Sequence, residues 1–100
     1  MILYLSGPYR GHEVANIVQA WATAQRLWLA GHVVFCPHLN SMGMYGADFI
    51  AGDLEILGRL GPEDGIYMMR GWERSEGAQM ELRQAREQGL QVYIEGEREP

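Results

Sequence analysis

The sequence has little of what marks a secreted, membrane-spanning or nucleic-acid-binding protein. Its 100 residues include a single cysteine, Cys36, which excludes an internal disulfide and favours a reducing cytosol, so we expect a cytoplasmic protein. No apolar run approaches the roughly 20 residues that cross a bilayer, and no basic segment followed by an apolar run indicates a signal peptide. The net charge of −5 disfavours binding to a nucleic-acid polymer, which needs a basic face. A small anionic ligand held by local N–H groups is still compatible with this charge.

Metal ligands and common catalytic motifs are also scarce. The three histidines, His12, His32 and His38, lack metal-ligand spacing, and no second cysteine supports zinc, so we expect neither a metal nor a cofactor. The sequence contains no G-x-G-x-x-G, no P-loop lysine pattern and no G-x-S-x-G elbow. Cys36 has no obvious base partner and is expected to pack in the core.

What the sequence does contain is a regular alternation of strand and helix patterns. An apolar content of 47% suits one globular domain over residues 1–100. The patterns predict strands at residues 1–5, 33–36, 65–69 and 91–94, and helices at residues 13–30, 47–60 and 76–88. Residues 38–46 are predicted to be irregular, and the charged residues 95–100 to be mobile. The alternation predicts an α/β fold, a compact flavodoxin- or Rossmann-like three-layer sandwich with a four-stranded parallel sheet.

The first predicted helix carries many large apolar side chains. Its spacing predicts an apolar face made of Val14, Ile17, Val18, Trp21, Ala24, Leu27 and Trp28. Trp21 and Trp28 share that face, and packing in the core is the simplest interpretation. A subunit interface is the alternative, because a domain of this size has little core for two tryptophans.

The stretch from Gly71 to Glu81 contains the most informative pattern. It leads from a predicted buried strand into a helix that Ser75 can cap, and a helix N-terminus at the carboxyl end of a strand favours anion binding. Glu81 leans back over Gly77 and Ala78, two small residues that leave open space beside its carboxylate. The alternative is that these small residues allow close helix–sheet packing and that Glu81 is a solvated surface acid.

Asp53 is a second candidate. On a helical wheel it falls within the arc of Phe49, Ile50, Leu54, Ile56, Leu57 and Leu60, where a carboxylate is costly unless it is paired or functional. The alternative is an acid at the open end of the arc, reaching water. Tyr4 near the end of the first strand could be core, and Arg10 in the glycine-containing loop 6–11 could turn inward or be solvated.

Four motifs taken in order resemble the nucleoside 2-deoxyribosyltransferase superfamily. They are YLSGPYRG at residues 4–11, AGHVVFCP at residues 30–37, DLE at residues 53–55, and GWERSEGA at residues 71–78, leading to Glu81. Within this superfamily, the sequence resembles in particular a short branch that includes deoxynucleoside 5′-monophosphate N-glycosidases and small bacterial and phage proteins. Longer relatives complete the pocket with residues after the last strand, often from a neighbouring subunit, and the resemblance assigns no such residues here.

The resemblance implies a role for each matching residue. Glu81 would attack the sugar C1′, Tyr4 would orient Glu81, and Asp53 would position the sugar and assist departure of the base. Ser75 stands where nucleotide hydrolases carry a serine that meets the 5′-phosphate, and Gly77 follows it in the same turn. The substrate-binding loop would comprise Ser6, Gly7, Tyr9, Arg10 and Gly11. His38 is a further substrate-binding candidate that has no clear counterpart in the family.

The function that the resemblance implies is cleavage of the N-glycosidic bond of a ribo- or deoxyribonucleoside 5′-monophosphate through a glutamate nucleophile, with release of the free base. The alternatives are base exchange by a deoxyribosyltransferase, a non-catalytic nucleotide-binding module, and a glycohydrolase acting on NAD-like dinucleotides. The expected partners are a small nucleoside or nucleotide and further copies of the chain, in a homodimer or a larger homo-oligomer.

Overall fold

The computed structural model describes residues 1–100 and confirms the predicted α/β fold. Four strands, β1 Ile2–Ser6, β2 Val33–Phe35, β3 Gly65–Met68 and β4 Gln91–Ile94, form one sheet in the order β2-β1-β3-β4. Every neighbouring pair is parallel. The helices are α1 Glu13–Leu29, α2 Pro37–Asn40, α3 Phe49–Gly58 and α4 Glu76–Glu87, and a 3-10 turn covers Trp72–Arg74. None of these helices has the combination of length and hydropathy that a bilayer span requires.

The core lies on both faces of the sheet, because successive strand side chains point in opposite directions. One cluster faces α1 and includes Leu3, Leu5, Val34, Tyr67 and Tyr93. The other faces α3 and α4 and includes Tyr4, Leu57, Ile66, Met68 and Leu82. Strand β3 is buried along its whole length, as its continuous apolar run predicts.

The connection after β2 differs from the prediction of an irregular segment. Residues Pro37–Asn40 form the short helix α2, with proline in its first turn, where a missing N–H costs nothing. The next helix begins at Phe49, two residues later than predicted. The Asp48 carboxylate caps α3 by accepting a hydrogen bond from the Ala51 N–H at 3.0 Å.

The core-facing side of α1 is not the side that its large apolar residues predict. The residues of α1 that are buried are Ala20, Thr23, Ala24 and Leu27. Ala24 and Leu27 confirm part of the predicted apolar face. Val14, Val18, Trp21 and Trp28 point to solvent, which corrects the rest of it and the prediction that both tryptophans pack in the core. Small side chains at the contact let the helix approach the sheet closely, and the large ones remain outside.

The charged C-terminal segment, predicted to be mobile, makes defined contacts. Residues after β4 turn back so that Ile94 and Arg98 form an antiparallel bridge. The Glu99 carboxylate accepts a hydrogen bond of 2.7 Å from the Tyr67 hydroxyl and lies 3.6 Å from the Arg26 guanidinium. These contacts hold the tail against the α1 side of the sheet.

Candidate active site

An open cleft of about 810 Å³ lies at the carboxyl ends of the strands. Its walls come from the loops after β1, β2 and β3 and from the cleft-facing sides of α3 and α4. The chain moves from β1 to β2 on one side and returns to β3 on the other. The cleft therefore lies at the switch in strand order, where doubly wound α/β proteins bind ligands.

Glu81 is held at the base of this cleft by two hydroxyl groups. The Ser6 hydroxyl donates a hydrogen bond of 2.7 Å to one carboxylate oxygen, Oε1, and the Tyr4 hydroxyl donates to the other, Oε2. Tyr4 and Ser6 lie two residues apart on β1, so both point to the sheet face that carries α4. Because both of these side chains are buried, the position of the Glu81 carboxylate is fixed by the central sheet.

The surroundings of Glu81 have opposing effects on its pKa. Burial raises the pKa of the Glu81 carboxyl, and the hydrogen bonds from Tyr4 and Ser6 partly oppose that rise by stabilising the charged form. Burial and the nearby negative charge of Glu81 raise the pKa of Tyr4 well above its usual value. Tyr4 therefore stays protonated and remains a hydrogen-bond donor at every physiological pH.

Asp53 lines the same cleft from α3. Its carboxyl group is half-buried, and burial raises its pKa with no hydrogen-bonding group to oppose the shift. The charge of Asp53 is also one of the causes that raise the pKa of Glu81, so the two acids interact. Within the predicted apolar arc of α3, Leu57 alone is fully buried and Ile50 is exposed. Asp53 thus faces the cleft at the edge of the core and does not enter it.

The N-terminus of α4 opens into the cleft beside Glu81. Ser75 is the N-cap, as predicted, and its hydroxyl accepts a hydrogen bond of 3.2 Å from the Ala78 N–H. The N–H groups of Glu76 and Gly77 donate no hydrogen bond within the protein. Gly77 has open space where a β-carbon would project. This helix end can accept an anionic group.

Positive charge in the cleft comes from arginine on two loops. Arg10 follows β1 and Arg74 precedes α4; both side chains are exposed and line the cleft. Glu76, in the first turn of α4, places one negative charge nearby. Arg10 was identified from the sequence, whereas Arg74 was not selected although it lies within the GWERSEGA motif.

The loop after β1 is fixed by contacts on both sides. Gly7 packs against Met69 so closely that a β-carbon would lie 2.8 Å from the Met69 terminal methyl group. A hydrogen bond of 2.9 Å joins His38 Nε2 to the Pro8 carbonyl, and the His38 ring meets Tyr9 edge-on with centroids 5.6 Å apart. Burial lowers the pKa of His38, which favours the neutral ring with its proton on Nε2. The buried Nδ1 has no partner.

The structure brings together nearly all of the residues selected from the sequence. The cleft is lined by Gly7, Tyr9, Arg10, His38, Asp53, Ser75, Gly77 and Glu81. Tyr4 and Ser6 reach it through Glu81. Gly11 does not line the cleft; with a φ of +96° it provides the left-handed turn that leads into α1.

Sequence analysis missed the apolar part of the cleft wall. Met44, Phe49, Ile50 and Met80 lie along it and come from the loop after β2 and from both α3 and α4. Isolated methionine and isoleucine residues carry no sequence signal that separates a ligand wall from ordinary core or surface. No group of three or more histidine, cysteine, aspartate or glutamate side chains is placed to hold a metal ion.

Comparison with known proteins places the chain in a family. Residues 1–94 match the family described as domain of unknown function (DUF4406), so the chain belongs to that family. No curated protein and no solved structure matches the chain. The function must therefore be argued from the cleft.

Proposed function

We propose that this protein cleaves the N-glycosidic bond of a nucleoside 5′-monophosphate and releases the free base. The observation that carries the proposal is the Glu81 carboxylate, which is oriented by Tyr4 and Ser6 in the same cleft as Asp53. The resemblance of the motifs to the nucleoside 2-deoxyribosyltransferase superfamily supports the same assignment.

Glu81 is the proposed nucleophile. A carboxylate oxygen of Glu81 attacks C1′ as the bond from C1′ to the base breaks, and the sugar becomes bound to the enzyme as a glycosyl ester. The two hydroxyl donors suit this role because they fix the carboxylate and favour its charged form. Both donors are neutral, so no cation is paired with the nucleophile. Water then attacks C1′, which releases the sugar phosphate and restores the Glu81 carboxylate.

Asp53 is the proposed proton carrier. Its raised pKa favours a protonated carboxyl that can donate to the departing base. The resulting carboxylate can then accept the proton of the attacking water. Retaining glycosidases divide the work between two acids in this way.

The end of α4 is the proposed phosphate site. The unpaired N–H groups of Glu76 and Gly77, the Ser75 hydroxyl and the guanidinium groups of Arg10 and Arg74 would surround a 5′-phosphate. Met44, Ile50 and Met80 form the apolar wall on which a flat base would rest. A cleft of about 810 Å³ has room for such a nucleotide.

The deciding experiment is a screen of the common nucleosides and nucleoside monophosphates for release of free base. We expect base release from monophosphates, and we expect Glu81→Gln to abolish it, because an amide cannot form the ester. Its matched control is Glu87→Gln, which changes an exposed acid of the same helix and should leave the rate unchanged. Base release by Glu81→Gln at the wild-type rate would disprove the mechanism.

The same screen separates the alternative functions. A second free base added to the reaction will be incorporated into a new nucleoside if the intermediate transfers its sugar. Nicotinamide release from a dinucleotide would indicate an NAD-type glycohydrolase. Thermal stabilisation by a monophosphate without base release would indicate a binding module.

A further inference from the structure

Helix α1 has apolar side chains on two opposite sides. The inner side packs on the sheet through Ala20, Thr23, Ala24 and Leu27. The outer side carries a stripe formed by Val14, Val18, Trp21, Gln25 and Trp28. These residues are spaced by four, three, four and three, and the four apolar ones expose 79%, 58%, 55% and 52% of their surface. A surface helix normally has polar residues opposite its core face, so this outer stripe is unusual.

The outer stripe is also almost free of charge. Among the 17 residues of α1, the charged side chains are Glu13 in the first turn and Arg26 in the last. Beside the stripe lies a shallow depression of about 530 Å³, lined in part by Trp21, Trp28 and Leu39. Strand β2 lies at the edge of the sheet beside this depression, and its residue Val33 is also exposed. Such a large exposed apolar patch marks an interaction surface.

We propose that the outer stripe of α1 is the contact between two copies of this chain. The exposed side chains of the stripe, with Leu29 and Val33, present roughly 600–700 Å² of surface, close to the ~800 Å² that each partner buries in a standard interface. Spacing by three and four is the seam of a two-helix contact. Few basic residues flank the stripe and the chain is acidic, which disfavours an anionic membrane as the occupant.

The two copies of α1 run antiparallel and cross at Trp21. The stripe is nearly symmetric about this residue, so Val14 of one copy faces Trp28 of the other and a small side chain meets a large one. Glu13 and Arg26 lie on opposite flanks of the stripe, and Arg26 already contacts Glu99 of its own chain, so neither charge enters the contact. The contact lies on the sheet face opposite α4, so it leaves the cleft open and is independent of the proposed reaction.

The mass of the protein in solution tests the proposal. Sedimentation equilibrium is expected to give about twice the chain mass of 11.3 kDa for the wild type at a concentration of about 100 µM. Trp21→Glu and Trp28→Glu should each weaken dimerisation at least about thirtyfold while leaving the far-UV circular dichroism spectrum unchanged, because both side chains are half-exposed in the monomer. The matched control is Tyr45→Glu, which places the same charge at a 94% exposed aromatic residue outside the outer stripe.

A wild-type monomer at this concentration would overturn the proposal, and so would dimers that persist in both tryptophan variants. A monomer is also the outcome expected if the stripe binds a different protein.

The antiparallel arrangement has its own test in Val18→Cys combined with Gln25→Cys. These positions lie about 10 Å apart within one helix, too far to bridge, but face each other between antiparallel copies. Oxidation should link only the double variant into dimers; linkage of either single variant, or none in the double variant, would exclude this arrangement.

Discussion

Replacing Tyr4 by phenylalanine tests whether a buried hydroxyl keeps Glu81 charged. The ring of Tyr4 packs in the core with its centroid 5.5 Å from that of Phe35, so phenylalanine preserves the packing. The loss is one hydrogen bond to a carboxylate, which is worth about 1.5–3 kcal/mol. For a chain of this size, that corresponds to a fall in melting temperature on the order of 10 °C.

The size of this loss should depend on pH. The Tyr4 hydroxyl lowers the pKa of Glu81, so its removal raises that pKa further above the unfolded value. A group whose pKa is raised by folding costs stability as the pH rises through the titration. Tyr4→Phe should therefore lose more stability at pH 8, where Glu81 is charged, than at pH 4, where it is largely protonated.

Two assays check this prediction. Urea unfolding at pH 4 and pH 8 should show the larger difference from wild type at pH 8, and base release should fall about ten- to a hundredfold with its acid limb moved to higher pH. The control is Tyr93→Phe, which removes a hydroxyl from another buried tyrosine for which the structure shows no hydrogen bond. Equal destabilisation by Tyr4→Phe at both pH values would refute the reasoning.

Three further substitutions separate stability from activity. Asp53→Asn should slow base release by about 10²–10⁴-fold. The same substitution should increase the free energy of unfolding more at pH 8 than at pH 4, because it removes a carboxyl group whose pKa is raised by burial. A loss of stability at pH 8 would contradict this expectation. Gly7→Ala should cost about 1–3 kcal/mol in urea unfolding, since the new methyl group would meet Met69 at 2.8–2.9 Å. Gly77→Ala has only Ser75 nearby, at 4.0 Å; it should leave stability unchanged and weaken phosphate binding in calorimetry, and unaltered binding would remove Gly77 from the site.

The sequence predicted the fold because alternating patterns leave few topologies for a parallel sheet. It missed α2 because four residues are too short to show a helical period, and it misplaced the start of α3 because Asp48 was not recognised as a cap. The error on α1 has a different cause. Apolar residues occupy both sides of that helix, and periodicity alone cannot tell which side meets the sheet.

The candidate site residues could be predicted where a polar side chain occupied a helix cap or interrupted an apolar pattern. Ser75 caps a helix, Glu81 follows two small residues in the same helix, and Asp53 conflicts with its apolar neighbours. The pairing of Ser6 with Glu81 could not be read from the sequence, since a hydroxyl at the end of a strand has many possible partners and only the packing of α4 selects one. The apolar wall at Met44 and Met80 could not be predicted either, because only the packing of the loop and helix brings these side chains to the cleft.

The hydrogen bonds at Glu81 join β1 to α4. Tyr4 and Ser6 lie 77 and 75 positions away from their acceptor, so the central strand depends on a helix that is distant in the sequence. If the sheet forms before α4 docks, these two hydroxyls lack their protein partner, and burying them in that state costs free energy. Docking of α4 on the sheet and orientation of the Glu81 carboxylate should consequently be gained and lost together.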